Sequence, residues 1–203
     1  MHSDQSFPPE IELALAHTPA ALRPKLTSAF ALDQRLGRIV AATTEPMLGQ
    51  MRLAWWRDML GTAVADRPQG DAVLDAIGAS WAGEEGALIL MVNAWEILVV
   101  SDDLQSRQLF EFADGRGAFW GHSAGTVWAL ADAASRVSND DERQALVAAG
   151  KEAASNEVTS KSDIRGLRVL HALAQRSLNN GGRPMMDGRG ASLTAMRAAL
   201  FGR

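Results

Sequence analysis

Apolar residues in this chain recur every three to four positions over long segments, while alternation of period two is nearly absent. Such spacing puts one apolar face on a helix and gives a half-buried strand nothing to bury. It predicts helices over roughly 9–16, 20–42, 46–65, 71–82, 84–100, 104–135, 140–155, 164–178 and 191–201. The expected class is all-α, a single-domain helical bundle over 1–203, because a chain of 203 residues can bury one real core. Gly and Pro punctuate "ADRPQG" at 65–70 and "NNGGRPMMDGRGAS" at 179–192, the second long enough to read as a mobile loop. Neither reads as a domain boundary.

Several function classes fall away on composition. With no cysteine there is no disulfide framework, thiolate nucleophile or cysteine metal site, which fits a reducing compartment. The net charge of -4 and the scatter of arginines argue against a nucleic-acid partner, which would need a basic stripe. The longest apolar stretch, "GALILMVNAWEILVV" (86–100), contains Asn93 and Glu96 and is shorter than the roughly 20 residues that span a bilayer. No transmembrane segment is expected. The N-terminus, "MHSDQSFPPEIELAL", places acids and prolines where a secretory signal has positive charge and an apolar run. The expected location is the cytoplasm, free or peripheral at a membrane.

The segment "EPMLGQMRLAWWRDML" (45–60) is the most informative. Thr43 and Thr44 stand where a helix would be capped, and Pro46 suits its first turn. Leu48, Met51, Trp55 and Met59 form one row and Leu53, Trp56, Leu60 and Val64 a second, which together read as a buried arc holding both tryptophans. Arg52 projects between the rows, with Arg57 and Asp58 assigned to the outer face. A buried guanidinium needs an anion or an aromatic ring, and Glu96, three residues from Asn93 on an apolar helix, is the first candidate. Breaking such a buried pair would cost on the order of 3 kcal/mol. The other readings are snorkelling to water, or a ligand phosphate held by Arg52, Arg116 and Arg136.

Other constellations are bland. Asp71 and Asp75 in "DAVLDA" suit the positive end of a helix dipole. "DGRGAFWGHSAG" fails G-x-G-x-x-G at Trp120, and Ser123 in "GHSAG" lacks the strand that a nucleophile elbow requires. His2, His17, His122 and His171 never pair at i, i+4, so no zinc site is expected. Gly117, Gly121 and Gly125 read as a flat strip along one helix that lets another backbone approach.

"EPMLGQMRLAWWRD" resembles the "LGQLRLAWWRD"-type helix of the squalene/phytoene synthase family. "FALDQRLGRIVAATTEP", "VNAWEILVVSDDLQSRQLFEFADGRGAFWGHSAG" and "GTVWALADAASRVSND" are similar to later family segments in the right order, and the likeness loosely covers 20–175. It implies an isoprenoid-synthase-like helical bundle in which two aspartate-rich motifs hold magnesium against a prenyl diphosphate. The positions of the first motif fall near Arg35 or Leu36 and Ile39 or Val40, leaving Asp33 as the only acid of that stretch. The second falls on Asp132 and Arg136, with Asp140 as a remnant. These departures imply a non-catalytic member with no cofactor, acting through a protein partner in an assembly or scaffold role. Glu45 to Trp56 also resembles the corresponding helix of a family relative that assembles mitochondrial respiratory complex I. The alternatives are a binder of prenyl diphosphates or lipids, and an active head-to-head prenyltransferase, which would need magnesium. The candidate ligand-binding residues are Arg52, Trp55, Trp56, Asn93, Glu96, Arg116, Asp132 and Arg136, with no catalytic residue and no metal ligand assigned.

Overall fold

The computed structural model describes residues 6–100, 106–121, 123–156 and 164–201, and every regular element among them is helical. The helices are α1 (Pro9–Ala16), α2 (Arg23–Ala41), α3 (Pro46–Gly61), α4 (Ala72–Ser80), α5 (Gly86–Val100), α6 (Ser106–Gly117), α7 (Ala124–Arg136), α8 (Asp140–Ser155), α9 (Arg165–Asn179) and α10 (Gly190–Phe201). Among the described residues no helix is long and apolar enough to cross a membrane.

The bundle is organised around α7, whose sequence "AGTVWALADAASR" is small or apolar on nearly all sides and buried from Ala124 to Asp132. A helix without a polar face must be surrounded. α6, α8 and α9 pack directly on α7, while α2 and α3 join the bundle through α5, and α10 lies on α9. Phe30, Phe119, Trp120 and Trp128 interlock mostly edge to face at the centre, with ring centroids 5.2 to 6.3 Å apart.

Helix starts follow local chemistry. Asp71 accepts hydrogen bonds from the Val73 and Leu74 amides and Asn139 from those of Asp141 and Glu142, while prolines open α1, α2 and α3. Asp71 also pairs with Arg35 at 3.1 Å, and Asp75 accepts from the Gly70 amide, so the D-x-x-x-D spacing is spent on capping. Thr43 does not cap α3: its hydroxyl donates to the Ile39 carbonyl, and Glu45 stands at the N-cap without a side-chain bond. The loop expected over 179–192 runs only from 180 to 189, since Asn179 ends α9 and Gly190 begins α10, and it is anchored at buried Met185 and by the Ser177 hydroxyl donating to the Arg183 carbonyl.

Two expectations are corrected. The single helix over 104–135 is two helices, because the chain turns through a 3-10 segment, Ala118–Trp120, and Gly121 takes a φ of 80°, which L side chains rarely adopt. Both helices are apolar where they meet, so the periodicity runs through the corner without a gap. Gly117 and Gly125 therefore share no helix; they face each other across the corner, and a methyl group on Gly117 would lie 2.3 Å from the Gly125 carbonyl carbon.

The second correction concerns α3. It buries only Gly49, Leu53, Trp56 and Leu60. The row of Leu48, Met51 and Trp55 faces solvent: Trp56 is 2% exposed but Trp55 is 40% and Met51 64%. The helix is apolar on two opposite faces, and a single arc drawn through both hides the one that packs.

Gly117→Ala is expected to cost at least about 2 kcal/mol, because neither backbone at the corner can yield. Gly61→Ala, where the added methyl meets nothing within 4 Å, should change stability by less than about 0.5 kcal/mol. Urea unfolding of the two variants measures the difference; equal effects would refute the backbone contact.

Candidate functional site

The most unusual side-chain grouping lies where α2, α5, α6 and α7 converge. Asp33 from α2, Arg116 from α6 and Asp132 from α7 are all buried among apolar residues. Charges in such a place survive only as neutralised, hydrogen-bonded sets. Arg116 supplies that neutralisation. Its Nε and Nη2 donate to the two oxygens of Asp33, each at 2.8 Å, in the parallel fork that suits a guanidinium. Nη2 also donates to Asp132 Oδ2 at 2.7 Å.

The guanidinium carbon lies 4.7 Å from the Trp128 ring centroid and 4.9 Å from that of Trp95, so two indoles flank the cation. The Trp95 Nε1 donates to Asp33 Oδ1 at 2.9 Å. One turn beyond Asp132 on α7, Arg136 gives it Nε and Nη2 contacts of 2.9 Å from the solvent side. Two carboxylates and two guanidiniums thus sum to no net charge.

Burial works against ionisation of Asp132, but Arg116 and Arg136 outweigh it and hold its carboxyl below the usual range. Burial likewise opposes the charge on Arg116, and the Asp33 and Asp132 carboxylates overcome it and raise its pKa. The Arg136 pKa is raised by its hydrogen bond and charge interaction with Asp132. Glu10 of α1 lies close enough to feel the set, and burial followed by the Asp132 charge raises its pKa against Arg136. Beside the cluster is a recess of about 20 Å³ bounded by Phe7, Phe30, Gln34 and Trp128, room for one water.

Magnesium does not fit this cluster. A hard cation needs carboxylate oxygens free to turn toward it, and here the oxygens of both aspartates are taken by guanidinium N–H groups. Among the described residues no group of three His, Asp or Glu gathers elsewhere. Asp140 pairs with Arg143 at the surface, His17 bonds the Leu13 carbonyl within its own helix, and His2 and His122 lie outside the described residues.

The eight candidate residues divide accordingly. Arg116, Asp132 and Arg136 come together, but as one another's partners rather than as open ligand contacts. Arg52 is exposed and does not meet Glu96. Arg57, assigned to the outer face, takes that role: its Nε donates to Asn93 Oδ1 at 2.7 Å and its Nη2 pairs with Glu96. The cause is helix phase. The buried arc is centred on Leu53, Trp56 and Leu60, so Arg57 and Arg52 lie on its two flanks, and Asn93 and Glu96 of α5 stand on the Arg57 side. Asn93 is exposed and Glu96 half-buried, so the pair sits at the rim of the α3–α5 contact instead of inside. Trp56 is core and Trp55 packs edge to face on it from outside, centroids 5.1 Å apart.

Sequence reasoning missed Asp33 as a partner, because Arg116 lies 83 residues further on and no local spacing links the two. It also missed Arg67, whose buried guanidinium caps the Leu60 and Thr62 carbonyls and pairs with Glu85 at 2.7 Å, tying the end of α3 to the start of α5.

Arg116→Met leaves two buried carboxylates without their shared cation and is expected to cost about 3–5 kcal/mol at pH 7. In that variant Asp132 keeps Arg136 but loses the buried cation, so its charge is less compensated against burial. That cost is relieved below about pH 4, where the carboxyl is protonated, and is largest above it. The wild-type Asp132 has the opposite sign, its contribution present above about pH 4 and lost on acidification below it. Urea unfolding should therefore show a smaller deficit at pH 4 than at pH 7, and an equal deficit at both would assign the loss to packing instead of charge. Comparison with protein families, with curated proteins and with solved structures finds no match for this chain, and the chemistry of the site rests on its geometry.

Proposed function

We propose that the chain is a non-catalytic relative of the squalene/phytoene synthases that works in the cytoplasm as a scaffold or assembly protein, through a protein partner. The observation that carries the proposal is the Asp33–Arg116–Asp132 bridge. In the resemblance set out above, α2 and α7 are the helices that would face each other with metal-holding aspartates. Their remaining acids, Asp33 and Asp132, are instead joined by a fixed organic cation. A guanidinium neutralises them as a metal would, but offers no exchangeable coordination position to a diphosphate. The recess of about 20 Å³ beside it is far below the roughly 300 Å³ at which small-molecule sites begin, which favours this reading over a prenyl-binding one.

The partner is supported by α10. That helix turns Ala191, Ala195, Ala198 and Ala199 inward and leaves Leu193, Met196 and Leu200 outside. A helix serving only its own core would bury the larger side chains and expose the small ones. The inversion leaves an apolar stripe along one side of the helix, the kind of surface that another protein covers.

The test is incubation of the purified protein with magnesium and farnesyl or geranylgeranyl diphosphate. No released pyrophosphate and no condensed hydrocarbon are expected, and no rise in melting temperature that a chelator removes. Metal-dependent product would overturn the proposal.

A further inference from the structure

The outward face of α3 carries Met47, Leu48, Met51 and Trp55, with Met47 72% and Met51 64% exposed. Its opposite face is already in the core through Leu53, Trp56 and Leu60, and among the described residues the outer stripe is left largely uncovered. Leucine, methionine and tryptophan in line along a helix make an adaptable, strongly apolar surface. The four side chains present roughly 400 Å², about half of what each partner of a standard interface buries. The edges of the helix must supply the rest, and their chemistry selects the occupant.

On one edge stands Arg52, and seven residues before it Glu45 holds the N-cap position at the mouth of the helix. Both are exposed, and neither side chain has a hydrogen bond or ion pair among the described residues. On the other edge Met47 and Ala54 stand at the same seven-residue spacing. If two copies of α3 run antiparallel about a two-fold axis near residues 49 and 50, Leu48 packs on the partner's Met51 and Met51 on the partner's Leu48. In an antiparallel pair, like edges meet, so Arg52 reaches the partner's Glu45 twice over, and Met47 covers the partner's Ala54 twice over. Trp55 then lies over the partner's turn around Thr44. Self-complementarity of shape and charge about one axis is what an isologous contact needs. A membrane surface fits this face less well, since Glu45 and Asp58 flank or interrupt the stripe where a lipid-binding helix places lysine and arginine.

We infer that α3 is a homodimer interface: Leu48, Met51 and Trp55 pack antiparallel against the same helix of a second copy, held in register by reciprocal Arg52–Glu45 pairs. This inference does not rest on the non-catalytic reading. The turnover assay tests that reading, the mass measurement tests this one, and either can fail alone.

The experiment is sedimentation velocity of the full chain, with circular dichroism to confirm that each variant is folded. The wild type is expected to approach twice its 21.7 kDa mass at about 50 µM, and Met51→Glu to remain a folded monomer. Arg52→Glu and Glu45→Arg, which each place like charges together twice, should each weaken dimerisation at least about tenfold. Mixing the two single variants should restore association, because every cross-pair in the mixed dimer is then of opposite charge. A monomeric wild type, or single variants that fail to recover on mixing, would overturn the pairing. So would a blue-shifted Trp55 emission on phosphatidylcholine vesicles from a protein that is monomeric without them, which would assign the face to lipid.

Discussion

Everything at the centre of this bundle depends on Arg116 having two carboxylates and two indoles to answer it. A guanidinium taken out of water without partners costs several kcal/mol, and so does each aspartate. The three charges are therefore tolerable only together, and each comes from a different helix. That requirement fixes α2, α6 and α7 relative to one another in a way that apolar packing alone does not, since apolar contacts are non-directional while a bidentate fork is not. Trp95 extends the constraint to α5 through its bond to Asp33, and Trp128 closes the other face of the cation.

The corner between α6 and α7 serves the same geometry. Arg116 is the next-to-last residue of α6, and Asp132 lies two turns into α7, so they meet only because the chain doubles back tightly between them. The backbone contact of Gly117 with Gly125 brings the two helices that close. A side chain at either glycine would push the helices apart and lengthen the 2.7 Å contact between Arg116 and Asp132. Packing and electrostatics are thus coupled at adjacent positions, 116 and 117.

The helices were legible in the sequence almost to the residue at 9–16 and 140–155, where a proline start or an Asn cap marks the beginning. The all-α class follows from periodicity alone, and the helical structure agrees with it. Two kinds of information were hidden. The corner at Gly121 leaves no break in apolar spacing, because both flanking helices are core helices. The orientation of α3 was hidden because periodicity reports how apolar residues are spaced and not which of two apolar faces packs inward. Tertiary contact decides that, here through Gly49, which lets Val99 of α5 come close, and through Leu53 and Trp56. With Arg52 placed inside, Glu96 falls to it instead of to Arg57, and Asp33, the only acid of its stretch, shows no partner in the local spacing because Arg116 comes from a distant helix.

That bridge also limits what the interior can hold. A divalent cation between facing helices neutralises acids while keeping coordination positions for incoming oxygens, and its charge is available to a leaving group. A guanidinium carries one charge, spends its N–H groups on the acids it touches, and cannot be displaced because it is part of the chain. Where Asp33 and Asp132 meet Arg116, their oxygens are therefore held by a group that cannot exchange. Phe30, Phe119, Trp120 and Trp128 fill the space beside it, and the exposed leucines and methionines of α3 and α10 form apolar stripes at the surface. Exposed leucine and methionine of that extent are a liability for a chain that covers them with nothing. The two stripes lie on helices that pack on different neighbours, α3 on α5 and α10 on α9, so they are separate surfaces of the bundle.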